Sequence, residues 1–371
     1  MQRTSPPFRA DHVGSLLRPP RIKEARAKLE KGEIAASELA RIEDLEIEKI
    51  VHKQKQIGLQ LATDGEFRRS WWHFDFLARL TGAELYHPDG IQFAGITTRP
   101  DNVRVIGKLD FPDDHPMLAH YRFLHKQCAA TGATAKMTIP SPAVLHFRGG
   151  RRSISKDVYP DLEPFFEDLA KTYRKAVKAF YDAGCRYLQF DDTVWAYLCS
   201  QDELAKARAR GDEVDRLQEI YARVINYAIA EKPADMAITT HVCRGNFRST
   251  WISSGGYEPV AETMLAGTNY DGYFLEYDSD RAGGFEPLRF LPKGNKVVVV
   301  GVITSKFGEL EKKDDLKRRL EEASKFADVN QLAISPQCGF ASTEEGNILS
   351  EDEQWAKLSL AVEIASEVWG K

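Results

Sequence analysis

From Asp11 onward the chain alternates short apolar runs with longer amphipathic stretches, the pattern of strands each followed by a helix. Asp11–Leu16 reads as a first, weak strand, and Leu59–Glu66 as a second that ends in Thr63-Asp64-Gly65-Glu66. Between them, Ser37–Ile57 places Leu39, Ile42, Leu45 and Ile50 at helical spacing. The alternation breaks from Thr81 to Asp113, where Ile91–Thr97 and Val103–Phe111 flank Arg99-Pro100-Asp101-Asn102 as a β-hairpin would. It then resumes. Helices are predicted over Pro116–Ala130, Pro160–Ala183 (stopped by Gly184), Glu213–Ala230, Pro259–Leu265, Glu309–Ala327 and Glu351–Trp369. Strands are predicted over Ala135–Ile139, Tyr187–Phe190, Ala237–His241, Gly272–Leu275, Lys296–Ile303 and Gln331–Ile334.

About eight strand-and-helix units close most economically into a (β/α)8 TIM barrel, here with a β-hairpin insertion after strand 2. A doubly wound open sheet competes, but no G-x-G-x-x-G follows the first strand. No repeat of solenoid period and no low-complexity linker divides the chain, so residues 1–371 are expected to form a single α/β barrel domain.

Composition narrows the picture. At 371 residues and 43% hydrophobic content the chain can bury a large core. A net charge of −4, with basic residues scattered among acids, points away from nucleic acid. Five cysteines without close spacing suit reduced thiols better than disulfides. Residues 1–9 contain no apolar signal core and no apolar run of about 18 residues occurs, so a soluble, cytoplasmic protein without a membrane partner is expected.

The candidate chemistry sits at the ends of the apolar runs, where a barrel puts its active site. His241 and Cys243 close one run, Glu276 another and Cys338 the last. In an extended segment, residues two apart face the same way, so His241 and Cys243 can reach one ion. One imidazole, two thiols and one carboxylate suit zinc, with the fourth position held by Glu276 or exchanged for substrate. Two thiolates already cancel the 2+ charge, which favours binding and activating a substrate thiol over making hydroxide. Asp64, Glu66, Asp191 and Asp192 end two further strands. Cys128, Cys185 and Cys199 lie in or beside helical runs and read as packing residues.

Six segments, in order over nearly the whole chain, resemble the catalytic half of cobalamin-independent methionine synthase, and most closely its short single-barrel relatives. They are Asp11-His12-Val13-Gly14-Ser15, Asp64-Gly65-Glu66, Leu188-Gln189-Phe190-Asp191-Asp192, Thr240-His241-Val242-Cys243, Phe274-Leu275-Glu276-Tyr277 and Ser335-Pro336-Gln337-Cys338-Gly339-Phe340. The resemblance implies that His241, Cys243, Glu276 and Cys338 bind zinc. It implies that Glu66 and Asp191 hold the homocysteine amino group and that the Ser15 backbone N–H meets its carboxylate. It further implies methyl transfer from a methyltetrahydrofolate to the homocysteine thiol, giving methionine.

The chain departs from the family at three places. Asp191-Asp192-Thr193 stands for Asp-Glu-Pro, and Thr304 stands where a histidine is thought to protonate the departing nitrogen. Residues 142–147 offer no clean match to the pterin-stacking aromatic. His146 or His73 would have to supply the missing acid, and Trp71, Trp72 and His73 either cover the donor as a lid or pack beneath the hairpin. His12, beside Gly14-Ser15, would support the site from behind. Other readings keep the metal and change the substrates, to coenzyme M or a methylated corrinoid protein. A metal-free decarboxylase on a related barrel and a thiol- or zinc-binding accessory protein complete the alternatives.

Overall fold

A computed structural model describes residues 3–86, 102–245, 249 and 255–370. Its strands are β1 (Leu61–Ala62), β2 (Thr81–Tyr86), β3 (Asn102–Asp110), β4 (Thr134–Pro140), β5 (Tyr187–Asp192), β6 (Ala237–Val242), β7 (Gly272–Glu276), β8 (Val297–Ile303) and β9 (Leu332–Pro336). Seven of them pair in parallel in the order β1-β4-β5-β6-β7-β8-β9, with helices between successive strands. The apolar runs are buried on both faces, as in the β8 sequence Val-Val-Val-Val-Gly-Val-Ile, which is why they read as continuous rather than alternating.

The expected first strand is not a regular one. Ala10 makes a single parallel bridge to Ile334 of β9, while farther along Leu16 N donates to Gly65 O at 3.0 Å and Thr63 Oγ1 to Gly14 O at 2.6 Å. Residues 9–16 thus span from β9 to the end of β1 and take the eighth place in the curled sheet. Within this segment Gly14 sits at φ +144°, where a Cβ would lie 2.7 Å from Thr138 Cγ2, so glycine is needed for the close approach.

Side chains replace the ladder. The Asp11 carboxylate meets Lys136 Nζ at 3.0 Å and Tyr187 Oη at 2.8 Å, and Lys136 also donates to His12 O at 2.6 Å. Lys136 lies 4.0 Å from the Phe274 ring centroid, so a charged pair and aromatic faces share the barrel interior. Removing one partner strands the other in a dry site. Lys136→Met is expected to lower the unfolding free energy by about 3 kcal/mol. Urea denaturation checks this, and a loss below about 1 kcal/mol would contradict the pair's role.

Three expectations need correction. The hairpin exists, but its first strand is Thr81–Tyr86, paired antiparallel with β3; Ile91–Thr97 and the turn at 99–101 lie outside the described residues. The helix expected over Pro259–Leu265 is an α turn at Glu258–Ala261 that continues as a π-helical turn to Ala266. Helices at Pro20–Glu30, Val194–Leu198 and Gln201–Ala209 were not expected. The final helix, Glu351–Trp369, falls where its pattern put it and opens on a Ser350/Glu353 capping box. Among the described residues, no helix is long and apolar enough to cross a membrane.

Candidate metal centre and substrate pocket

Parallel pairing in register brings the strand ends to one rim. Asp191 of β5 is the partner of His241 on β6, and Glu276 is the last residue of β7. Cys243 lies one residue past β6, where its N–H continues the ladder to Asp192 O at 2.7 Å, and Cys338 lies two past β9. One ligand atom from each of His241, Cys243, Glu276 and Cys338 falls within 4.8 Å of all the others. The two Sγ atoms are 3.6 Å apart, close to the roughly 3.8 Å edge of a tetrahedron with Zn–S bonds of about 2.3 Å. His241 Nε2 faces Glu276 Oε1 at 4.0 Å, and on the far side its Nδ1 faces Asp191 Oδ1 at 3.6 Å. A carboxylate behind a ligating imidazole is the arrangement that orients the ring toward a metal.

The electrostatics fit a cation. Burial pushes the His241 imidazole down, but Asp191 and Cys338 overrule it and lift it to about 10. Through the hydrogen bond the two sulfurs share at 3.6 Å, in which either can donate, Cys338 falls well below the usual thiol range and Cys243 rises above it. Burial, then the Cys338 thiolate, raises Glu276. Its two oxygens accept from Arg244 N at 3.0 Å and from Gln337 Nε2 at 3.4 Å. A buried set this rich in anions is what a divalent ion neutralises. Cys128, Cys185 and Cys199 are not part of it; their thiols face the carbonyls of Ala62, Tyr187 and Trp195, and burial raises each to about 12.

A pocket of about 310 Å³ opens on this set. Its lining includes His241, Cys243 and Cys338 of the set, together with Glu66, Asp191 and Ser15, and Val13, Trp72, Gly339 and Ser342 complete it. Glu66 is held at φ +60°, an uncommon conformation for a side-chain-bearing residue and one that recurs at functional sites. Its Oε1 accepts from Thr138 Oγ1 at 2.8 Å and faces Arg69 at 3.4 Å, while its buried Oε2 has no hydrogen-bond partner. Asp191 Oδ1 accepts from Gln189 Nε2 at 2.7 Å, and that amide also donates to Val13 O at 2.7 Å. Ser15 packs against Gly339, where a Cβ would lie 1.9 Å from Ser15 Oγ; only glycine lets the two segments close.

The other candidates lie elsewhere. His146 is turned into the helical layer, with Nδ1 2.6 Å from Tyr221 Oη and its ring against Phe166, and burial holds it at about 4. Thr304 donates to Asp278 Oδ2 at 3.3 Å, and its N–H to Glu311 Oε1 at 2.7 Å, outside the pocket lining. His73 is also outside the lining, with its ring centroid 4.4 Å from that of Trp72. His12 bonds Gln54 Oε1 at 2.9 Å in the interior, and Gln54 in turn fixes Thr63. The supporting groups Thr138, Arg69, Arg244 and Ser342 carry no sequence signal. Gln189 and Gln337 lie inside family-like segments, but their roles depend on tertiary contacts.

Burial lifts Glu66 to about 7; Arg69 opposes the rise and Asp191 adds to it. An ammonium ligand needs the carboxylate form, which prevails above that value. The kcat/KM for an amino-acid thiol is therefore expected to fall about tenfold per pH unit below about 7. A pH profile of wild type and Glu66→Gln checks this: the acid limb should vanish in the variant, and its persistence would contradict the assignment.

The family described as "Cobalamin-independent synthase, Catalytic domain" matches residues 8–367, and the chain belongs to it. The protein YxjH of Bacillus subtilis (strain 168) is 55% identical over 98% of this chain and 95% of its own length. The crystal structure of a candidate vitamin-B12 independent methionine synthase from Listeria monocytogenes is 45% identical, covers 100% of both chains and superposes with a TM-score of 0.81. A B12-independent methionine synthase from Shewanella sp. W3-18-1, solved with selenomethionine, shares the fold at 20% identity, with 97% of each chain covered and a TM-score of 0.70.

Proposed function

We propose that this chain is a zinc-dependent thiol methyltransferase that methylates homocysteine to methionine from a methyltetrahydrofolate-type donor, acting as one catalytic barrel. The observation that carries the reading is the convergence, in one pocket, of a sulfur-rich donor set and two acidic side chains. His241, Cys243, Glu276 and Cys338 would hold the zinc, and the ion, when bound, would supply the Lewis acidity that keeps a substrate thiol deprotonated near neutral pH.

The chain's own groups do the rest. Glu66, with one oxygen unpartnered, and Asp191, fixed by Gln189, receive the substrate ammonium. The Ser15 segment, locked against Gly339, presents backbone to the substrate carboxylate. That places the homocysteine sulfur beside Cys243 and Cys338. Its lone pair attacks the methyl carbon, the bond from carbon to the donor nitrogen breaks, and that nitrogen leaves with the electron pair and takes up a proton.

One observation favours a second donor. Thr304 is tied to Asp278 and Glu311, so no imidazole stands there to protonate a leaving nitrogen. A methylcorrinoid donor needs no such proton. Zinc-loaded protein should form methionine over many turnovers when given homocysteine with methyltetrahydrofolate or methylcobalamin, and the productive donor identifies the branch. Methylation of coenzyme M but not homocysteine, or binding without turnover, would overturn the proposal.

A further inference from the structure

We propose that Arg18 is a positioning residue that fixes Glu66 against the loop bearing Cys338, and so makes the pocket selective for thiols that carry an amine; this rests on the homocysteine reading. Arg18 is 2% exposed and follows the pocket residue Ser15 in the N-terminal segment. Its guanidinium grips two separate segments. Nη1 donates to Ala341 O at 2.6 Å and Thr343 O at 3.1 Å, in the loop after β9. Nη2 donates to Glu66 O at 3.0 Å and Arg69 O at 3.1 Å, in the turn after β1. Each terminal nitrogen thus spends both its hydrogens on one segment, a division that the planar fork of arginine allows and a single ammonium does not.

The two gripped segments carry the groups proposed to read opposite ends of the substrate. In the turn, Glu66 sits at φ +60°, and its carbonyl is one of the four acceptors. The carbonyl of Arg69 is another, while the Arg69 side chain faces the Glu66 carboxylate at 3.4 Å and donates from Nη2 to Thr138 O at 2.6 Å. Arg18 therefore holds the backbone of the acid and of its counter-cation together. In the loop, Cys338, Gly339 and Ser342 line the pocket, and the acceptors Ala341 and Thr343 flank Ser342. Farther along, the segments bond directly, Trp72 N to Ser342 O at 3.2 Å and Glu344 N to Ser70 O at 3.0 Å. Glu66 itself is joined to that loop by the Arg18 fork.

The charge argues for more than a staple. Burying a guanidinium against carbonyls is costly, and although burial lowers Arg18 to about 10, it stays a cation near neutral pH. That charge favours the carboxylate form of Glu66, which an ammonium ligand needs. A neutral side chain could join two loops but could not do this.

The test measures, by calorimetry, binding of homocysteine and of 4-mercaptobutanoate, its amine-free analogue, to the zinc-loaded full chain, to Arg18→Met and to Arg18→Lys. Wild type should prefer homocysteine. Arg18→Met should cut that preference at least about tenfold, the worth of the charge-assisted hydrogen bond that a displaced Glu66 forfeits. Arg18→Lys, which restores the charge but not the fork, should cut it by less. A purely structural role would weaken both thiols alike and leave the preference unchanged. That result, read in Arg18→Lys if Arg18→Met does not fold, would overturn the inference, as would loss of folding in both. A wild type without the preference removes the amine site and the inference with it, whereas one that binds homocysteine but does not methylate it fails the proposed reaction alone.

Discussion

Cys338→Ala is expected to lose most of its zinc and to slow methyl transfer by at least about a thousandfold. Cys338 Sγ lies 3.6 Å from Cys243 Sγ, so its loss removes one of the two sulfur donors from the set. The remaining imidazole, thiol and carboxylate would offer the proposed zinc only a three-ligand site of lower affinity. The loss should not reflect misfolding, since alanine keeps a small buried side chain at a loop position. Metal analysis after gel filtration, circular dichroism and a turnover assay on the same preparation check the three parts. Retention of one zinc per chain with near-wild-type turnover would remove Cys338 from the centre.

The second large effect concerns substrate recognition. Glu66→Gln and Asp191→Asn are each expected to lower kcat/KM for homocysteine by roughly 10- to 150-fold, the value of a charge-assisted hydrogen bond of about 1.5–3 kcal/mol. The same variants should leave 4-mercaptobutanoate, which keeps the thiol and carboxylate but lacks the amine, within about threefold of wild type. This contrast separates an amine site from general damage. With both acids proposed to receive one ammonium, the double variant should lose less than the product of the single effects. Equal losses on both thiols would show that these acids support the pocket without reading the amine. Asp191 carries an added risk of that kind, since it also faces His241 Nδ1 at 3.6 Å.

The strands that build the rim were legible because burial on both faces writes them as unbroken apolar runs, and because a polar residue ends or soon follows each. β6, β7, β8 and β9 follow that rule, and so the metal-binding candidates stood out. Where burial is slight the signal fades. Pro20–Glu30 buries only Ile22 and Ala25, and Gln201–Ala209 only Ala207, too few for an apolar stripe. β2 has no buried residue and so no alternation to read. The N-terminal segment misled for the opposite reason: its order comes from Asp11, Lys136 and Tyr187, contacts that no local pattern reports.

At the site, residue type was readable and direction was not. His146 follows a strand in sequence, but the helix Pro142–Phe147 turns it toward Phe166 and Tyr221. Gln189 and Gln337 orient Asp191 and Glu276 through amide hydrogen bonds set only by tertiary contact.

The four-residue set is proposed to hold a zinc that takes a substrate thiol. Zinc-edge X-ray absorption on the loaded protein, with and without homocysteine, tests it most directly. Two sulfur neighbours are expected in the free protein and three once homocysteine is added, the third lost if its sulfur is replaced by oxygen in homoserine. A sulfur count that stays at two on saturation with homocysteine would contradict it.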